Sequence, residues 1–221
     1  MATSPKAYLR AILLDSFVWD FLRGTKAKRQ IEAWEETGRA VPPPHIIKQR
    51  IVSAYASVFA PRILIESGTC FGDMVYAMRD RFERIVSVEL NDHLCKQAKR
   101  RFRSYPHIEI LQGDSGEVLP RILSTVSQPC LFWLDGHYSE GVTSKGDTET
   151  PVMKELRAIL GHAVKDHVIL IDDARNFDGT HDYPTPQQLR SLVSANRTDY
   201  DFLVMHDVIR IHPKRDAHIT L

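Results

Sequence analysis

Tyr200-Asp-Phe-Leu-Val-Met205 and Val208-Ile-Arg-Ile-His212 are two strand-like runs with only His206-Asp207 between them. A two-residue connection cannot carry a chain across a sheet to a parallel neighbour, so the pair closes as an antiparallel hairpin. Upstream the pattern differs. Five short apolar runs occur at Arg62–Glu66, Arg84–Glu89, His107–Leu111, Cys130–Asp135 and His167–Asp172. Helical periodicity fills the gaps, at about 72–82, 91–103, 116–125, 151–162 and 186–195. Strands alternating with helices predict a parallel sheet, and near-continuous apolar strands predict that both faces are covered. The expected fold class is α/β: a seven-stranded, mostly parallel sheet, helices on both faces, closed by a C-terminal antiparallel hairpin.

Working outward, Ile47, Ile51, Ala54, Tyr55 and Val58 fall at helical spacing before the first strand. Further upstream, Ser4-Pro5 reads as a helix start and Gly24 as a helix stop. Pro42-Pro43-Pro44 break any helix there. The expected organisation is an N-terminal helical appendage over 1–44 and a core domain over 45–221. Phe17, Trp19, Phe21 and Trp34 need burial, so the appendage is expected to cover the site or to join copies into a homo-oligomer. Arg10, Asp15 and Asp20 interrupt the apolar stretch Leu9–Leu22, which excludes a signal-peptide reading, and no run is long enough to span a bilayer. Cys70, Cys95 and Cys130 form neither a CxxC nor an even set. A reduced, cytoplasmic setting with no membrane partner is therefore expected. The formal net charge is +1 on 221 residues, whereas nucleic-acid binders carry a basic excess, so a nucleic-acid partner is not expected. The cluster Lys99, Arg100, Arg101 and Arg103 reads as a solvated helix face.

Ligands of open α/β sheets bind beyond the carboxyl ends of the strands. The first strand runs into Glu66-Ser-Gly-Thr-Cys-Phe-Gly72. Gly68 permits a tight turn, and Gly72 is expected to let the backbone approach a ligand as the next helix opens. The dehydrogenase pattern GxGxxG is absent. Glu89 closes the second strand, 89 − 66 = 23 residues after Glu66, where a carboxylate can accept two hydrogen bonds from a ribose diol. Nucleotide-type cofactors of several kinds share that device. The third strand leads to Gly113-Asp114-Ser115. The fourth ends in Trp133-Leu-Asp135-Gly-His137 and the fifth in Ile171-Asp172-Asp173. Adjacent strands lie about 4.8 Å apart, so if strands four and five are neighbours, Asp135, Asp172 and Asp173 converge. Three such carboxylates repel one another without a proton or cation, and an all-oxygen set suits Mg²⁺ or another hard divalent ion.

With an acid-then-glycine first motif, acids at successive strand ends and a terminal hairpin, the chain resembles the class I S-adenosylmethionine (AdoMet)-dependent methyltransferases, Rossmann-like proteins with a seven-stranded sheet. Over 62–212 it is most similar to the metal-dependent macrocin O-methyltransferase type of sugar O-methyltransferase. The string Asp135-Gly-His-Tyr-Ser139, with Thr150-Pro151 and Ile171-Asp-Asp-Ala-Arg175, also resembles a group of bacterial methyltransferase-like proteins. The chain departs from the first motif at Cys70, where a glycine is usual. The resemblance implies that Glu66, Gly68, Thr69, Gly72, Glu89, Asp114, Ser115 and Asp135 bind AdoMet, with Asp114 or Ser115 at the adenine. It implies that Asp135, Asp172 and Asp173 bind Mg²⁺, and that Asp135 and His137 serve catalysis on a small hydroxyl-bearing acceptor. His137 can take a proton near neutral pH. The loop 136–150, rich in glycine and polar residues, is expected to face the acceptor or act as a lid. Arg175 reads equally as an anion holder or a salt-bridge partner. Two other classes are an RNA or protein methyltransferase and a non-catalytic AdoMet-binding or regulatory protein. Base-amine methylation commonly uses Asn/Asp-Pro-Pro-aromatic after strand four, where this chain has Asp135-Gly-His-Tyr.

Overall fold

A computed structural model describes residues 17–136, 150–215 and 219, with side chains from Gly24 onward. His137, Ser139 and most of the expected lid loop lie outside the described residues, as do Ser4-Pro5 and the side chains of Phe17, Trp19 and Phe21. The chain divides into two compact units, Met1–Lys48 and Gln49–Leu221.

In the first unit, helix α1 spans Phe17–Glu36 and runs through Gly24 rather than stopping there. An interior glycine costs only about 1 kcal/mol relative to alanine, and nothing at Gly24 demands a left-handed turn. The stop is Gly38, at φ +71. Its N–H donates to the Glu35 carbonyl (3.0 Å), and the next N–H, of Arg39, reaches back to the Trp34 carbonyl (2.9 Å). That pair of bonds is a Schellman motif, which satisfies two carbonyls the helix end leaves open.

The second unit holds the sheet. Helix α2, His45–Phe59, begins in the first unit and leads into β1 (Ile63–Ser67). Then follow α3 (Asp73–Met78), β2 (Arg84–Glu89), α4 (Asp92–Arg101), β3 (Ile108–Gln112), α5 (Ser115–Leu123) and β4 (Cys130–Leu134). After these come α6 (Val152–Gly161), β5 (Val168–Ile171), a 3₁₀ turn (Ala174–Asn176), α7 (Pro186–Asn196), β6 (Tyr200–Met205) and β7 (Val208–Pro213). The strand order is β3-β2-β1-β4-β5-β7-β6. β1 to β5 pair in parallel, while β7 pairs antiparallel with both β5 and β6.

β1, β4 and β5 are buried along their whole length, as strands covered on both faces must be. One face packs Val118, Leu119 and Ile122 of α5, Val152, Leu156 and Ile159 of α6, and Leu189 and Val193 of α7 against the sheet. His206 and Asp207 both have left-handed φ, 53° and 62°, the requirement of a two-residue type I′ turn. Asn-Gly is the usual choice there, so this turn carries strain that its surroundings must offset. The sheet reverses order at β1/β4. Ligand sites of this architecture lie in the crevice at such a point.

Candidate functional site

Strand ends β1 and β4 are tied together where the order reverses. The Asp135 N–H donates to the Ser67 carbonyl at 3.0 Å. The chain then turns at Gly68, φ +83, where a Cβ would lie 2.3 Å from the Asp135 carbonyl oxygen. Only glycine fits between these two backbones. Gly72 has a further packing requirement. Its φ is +74, and the space a Cβ would need is filled by the Phe102 ring, at 2.6 Å. It therefore lets the end of α4 close on the loop. Cys70, the departure from the glycine pattern, holds a left-handed φ of 48°. Its N–H donates to Glu89 at 2.7 Å. That charge-assisted bond offsets part of the 1–3 kcal/mol such a conformation typically costs a non-glycine residue.

Glu89 is buried and also accepts from the Asn91 N–H at 2.8 Å. Each oxygen thus holds one backbone N–H, and each retains a lone pair for a diol. Thr69 turns its hydroxyl into the sheet, 2.5 Å from that of Ser87, and Ser87 in turn donates to Glu66. Asp114 caps α5 by accepting from the Gly116 N–H at 2.8 Å, with Ser115 buried beside it. The predicted set Glu66, Gly68, Thr69, Glu89, Asp114, Ser115 and Asp135 thus clusters at or next to the carboxyl ends of β1 to β4.

Among the described residues, acids dominate the glycine turn. Burial pushes the Glu66 carboxyl well above the ordinary range. The Ser87 hydrogen bond opposes that shift, and the charges of Asp135, Glu89 and Asp73 add to it. Burial also raises the Cys70 thiol, with the same three acids adding to the shift. Arg101 does not belong to an open basic face. Its guanidinium donates to the Phe71 carbonyl and to Asp73 (3.0 Å).

β4 and β5 are neighbours, so the second constellation forms. Asp135, Asp172 and Asp173 offer carboxylate oxygens that all lie within 4.8 Å of one another, the last two from buried residues. Hard divalent ions bind oxygen at about 2.1 Å (Mg²⁺) to 2.4 Å (Ca²⁺), so opposite ligands sit about 4.2 to 4.8 Å apart. The donor chemistry and its span fit such an ion. Asp173 has a left-handed φ of 53°, and its N–H donates to Asp172 Oδ1 at 2.8 Å. Arg175, left open between two roles in the sequence, pairs with Asp173 at 2.8 Å and with Asp207. A guanidinium is thus already drawn to the cluster.

Thr150 accepts from the Val152 N–H (3.3 Å), so it serves the start of α6 with Pro151 between them. A pocket runs from Asp135 and Asp172 to Glu155, flanked by Phe177 and Tyr183, whose rings meet edge to face at 5.3 Å. Glu155 was not singled out from sequence. It is 1% exposed, and burial pushes its carboxyl up to about 7 against the pull of the Ser115 and Ser67 hydroxyls. The signal for it was an acid on the apolar stripe of α6, between Val152 and Leu156. The signal for Asp207 was a residue other than glycine or asparagine in a type I′ turn.

No protein-family model and no curated protein matches the sequence. Solved structures do match. The O-methyltransferase of Bacillus cereus, solved with S-adenosylhomocysteine, is 14% identical at a TM-score of 0.58, over 96% of this chain and 98% of that one. The Podospora anserina methyltransferase PaMTH1, also bound to S-adenosylhomocysteine, is 14% identical at 0.57, over 97% and 98%. The Streptomyces achromogenes O-methyltransferase TomG, solved with AdoMet, is 15% identical at 0.56, over 85% and 88%. With its strand order and terminal hairpin, this chain has the class I methyltransferase fold.

Proposed function

We propose that the protein is an AdoMet-dependent methyltransferase acting on the hydroxyl of a small, sugar-like or natural-product acceptor with help from a divalent ion. The observation that carries this reading is the group of acids around the glycine turn: Asp135, Glu89 and Asp73 all bear on the buried Glu66 carboxyl. Such a cluster favours a ligand bearing cationic sulfonium and ammonium groups and disfavours the anionic pyrophosphate of a dinucleotide. The fold relatives that are O-methyltransferases, solved with AdoMet or S-adenosylhomocysteine, support the same reading.

AdoMet would supply an activated methyl group, and a hard divalent ion would supply positive charge that eases ionisation of the acceptor hydroxyl. The residues do the rest. Glu89 would hold the ribose hydroxyls, and Asp114 and Ser115 would meet the adenine. Gly68 and Asp135 define the turn against which the methionine end would lie. Asp135, Asp172 and Asp173 are the candidate ion ligands. His137, two residues past Asp135, is the candidate to accept the hydroxyl proton. Phe177 and Tyr183 offer an apolar wall to the acceptor.

Calorimetry with AdoMet, S-adenosylhomocysteine and NAD tests the cofactor. AdoMet and its product should bind and NAD should not; NAD binding without an AdoMet response overturns the reading. Methyl transfer to a panel of hydroxyl compounds, with and without chelator, tests the chemistry. Transfer should be lost on chelation while AdoMet binding persists.

A further inference from the structure

Asp207 belongs to the tight turn between β6 and β7, far in sequence from the glycine turn and the acid pair. Yet it is buried and makes three kinds of contact with the segment after β5. Its carbonyl accepts from the Ala174 N–H (2.8 Å). One carboxylate oxygen accepts from the Arg175 N–H (2.8 Å), and the other from the Arg175 guanidinium. The same Arg175 nitrogen donates to Asp173 Oδ1 at 2.8 Å. Backbone strain is concentrated here too, with left-handed φ at Asp173, His206 and Asp207. Strained positions persist only where the surroundings fix them, and this clamp fixes both sides.

We propose that Arg175 is the built-in counter-cation of the Asp135–Asp172–Asp173 cluster, that a divalent ion entering the cluster works against it, and that Asp207 sets the balance by sharing the guanidinium with Asp173. This rests on the divalent-ion reading above. Asp173 is placed by its backbone: its own N–H is held by Asp172, and the next two N–H groups are held by Asp207. Removing the guanidinium therefore leaves the Asp173 backbone held and subtracts one positive charge beside the site. Removing the Asp207 charge does the reverse. It leaves the Arg175 guanidinium on Asp173 and lowers the negative charge facing the ion. Asp207 and Arg175 are positioning residues in this scheme; neither is asked to touch the ion.

The test is Mn²⁺ binding to the ligand-free full chain, by calorimetry and by loss of the free-ion electron-spin signal, in wild type, Arg175→Met and Asp207→Asn. Two like charges a few ångströms apart repel enough to change affinity roughly tenfold even when well solvated. Arg175→Met should therefore bind Mn²⁺ about tenfold or more tighter, and Asp207→Asn about tenfold weaker. Both variants lose the same ion pair, so a merely structural role would move both affinities in one direction and both thermal midpoints alike. Equal or weaker binding by Arg175→Met, with wild type binding normally, overturns this inference and leaves the ion reading standing. Silence from both wild type and Arg175→Met overturns the ion reading and this inference together. Binding by Arg175→Met where wild type is silent supports both.

Discussion

Replacing Glu155 with glutamine removes a charge that the fold resists forming. The carboxyl is buried and pushed up to about 7 from an ordinary value of 4.5. That is about 2.5 pH units, and at 1.36 kcal/mol per unit the differential is on the order of 3 kcal/mol. The sign follows from proton counts. Below pH 4.5 the carboxyl is protonated whether folded or not, and it opposes nothing. Between 4.5 and 7 the unfolded chain releases the proton and the native chain keeps it, so stability falls as pH rises through that window and levels off above 7. Glutamine is nearly isosteric and does not titrate. Wild type and Glu155→Gln should therefore be similarly stable near pH 4, apart from a constant offset. The variant should gain steadily to about 3 kcal/mol by pH 8. At this chain length that is a rise of roughly 6–12 °C in thermal midpoint. The assay is urea unfolding of both proteins from pH 4 to 8, reported as the difference. A flat difference, or one of opposite slope, would show that the carboxyl is solvated or ion-paired and refute the burial reasoning.

Two further outcomes follow from the same physics. His167 is buried, accepts the Cys130 N–H on Nδ1 (3.0 Å) and meets His162 through Nε2 (3.0 Å); burial pushes it down to about 4. Its folded value is depressed, so its contribution is full above about pH 6.5 and is lost as pH falls towards 4, on the order of 3 kcal/mol. The Glu155 trend runs the other way, so the loss should be measured by urea unfolding in the Glu155→Gln background; no loss between pH 6.5 and 4 would count against a neutral buried ring. Gly68→Ala should cost about 2–6 kcal/mol, adding left-handed strain to a backbone clash that no rotamer relieves. Gly161→Ala, with open space around its Cβ position, should be neutral or stabilising by up to about 1 kcal/mol; equal thermal midpoints for the two variants would contradict the close approach of β1 and β4.

The strands were legible because double burial writes itself as apolar runs, and the hairpin because His206-Asp207 leaves no other closure. The acids at strand ends were legible from position alone, since the period of a βα unit fixes which residue falls at the carboxyl edge. What was not legible has a common cause. Gly72 and Gly68 look alike in sequence, and only the Phe102 ring behind one and the Asp135 carbonyl behind the other separate them. Gly24 and Gly38 both follow helical stretches, and the Schellman bonds of Arg39 and Gly38 decide between them. Glu155, Ser87 and Asp207 get their roles from partners 18 to 40 or more positions away or on other elements, and no local pattern encodes those distances.

Overall composition conceals the site. A formal net charge of +1 suggests an electrostatically neutral molecule. Yet the fold gathers Glu66, Glu89, Asp135, Asp172, Asp173 and Asp207 at one end of the sheet, with Arg175 as the cation paired to two of them. All but Asp207 sit where a parallel strand or its continuation ends, and Asp207 lies in the β6–β7 turn, so the concentration is a consequence of topology. Left alone it costs stability, because like charges gathered in a poorly solvated crevice repel one another. Anything cationic that binds only the folded state returns that stability by mass action. Backbone strain at Cys70 and Asp173 lies at the same edge, held by Glu89 and by the Asp207 clamp. Acid excess and backbone strain thus lie in one place, each offset by a named partner, which is the arrangement that the proposed cationic cofactor and ion require.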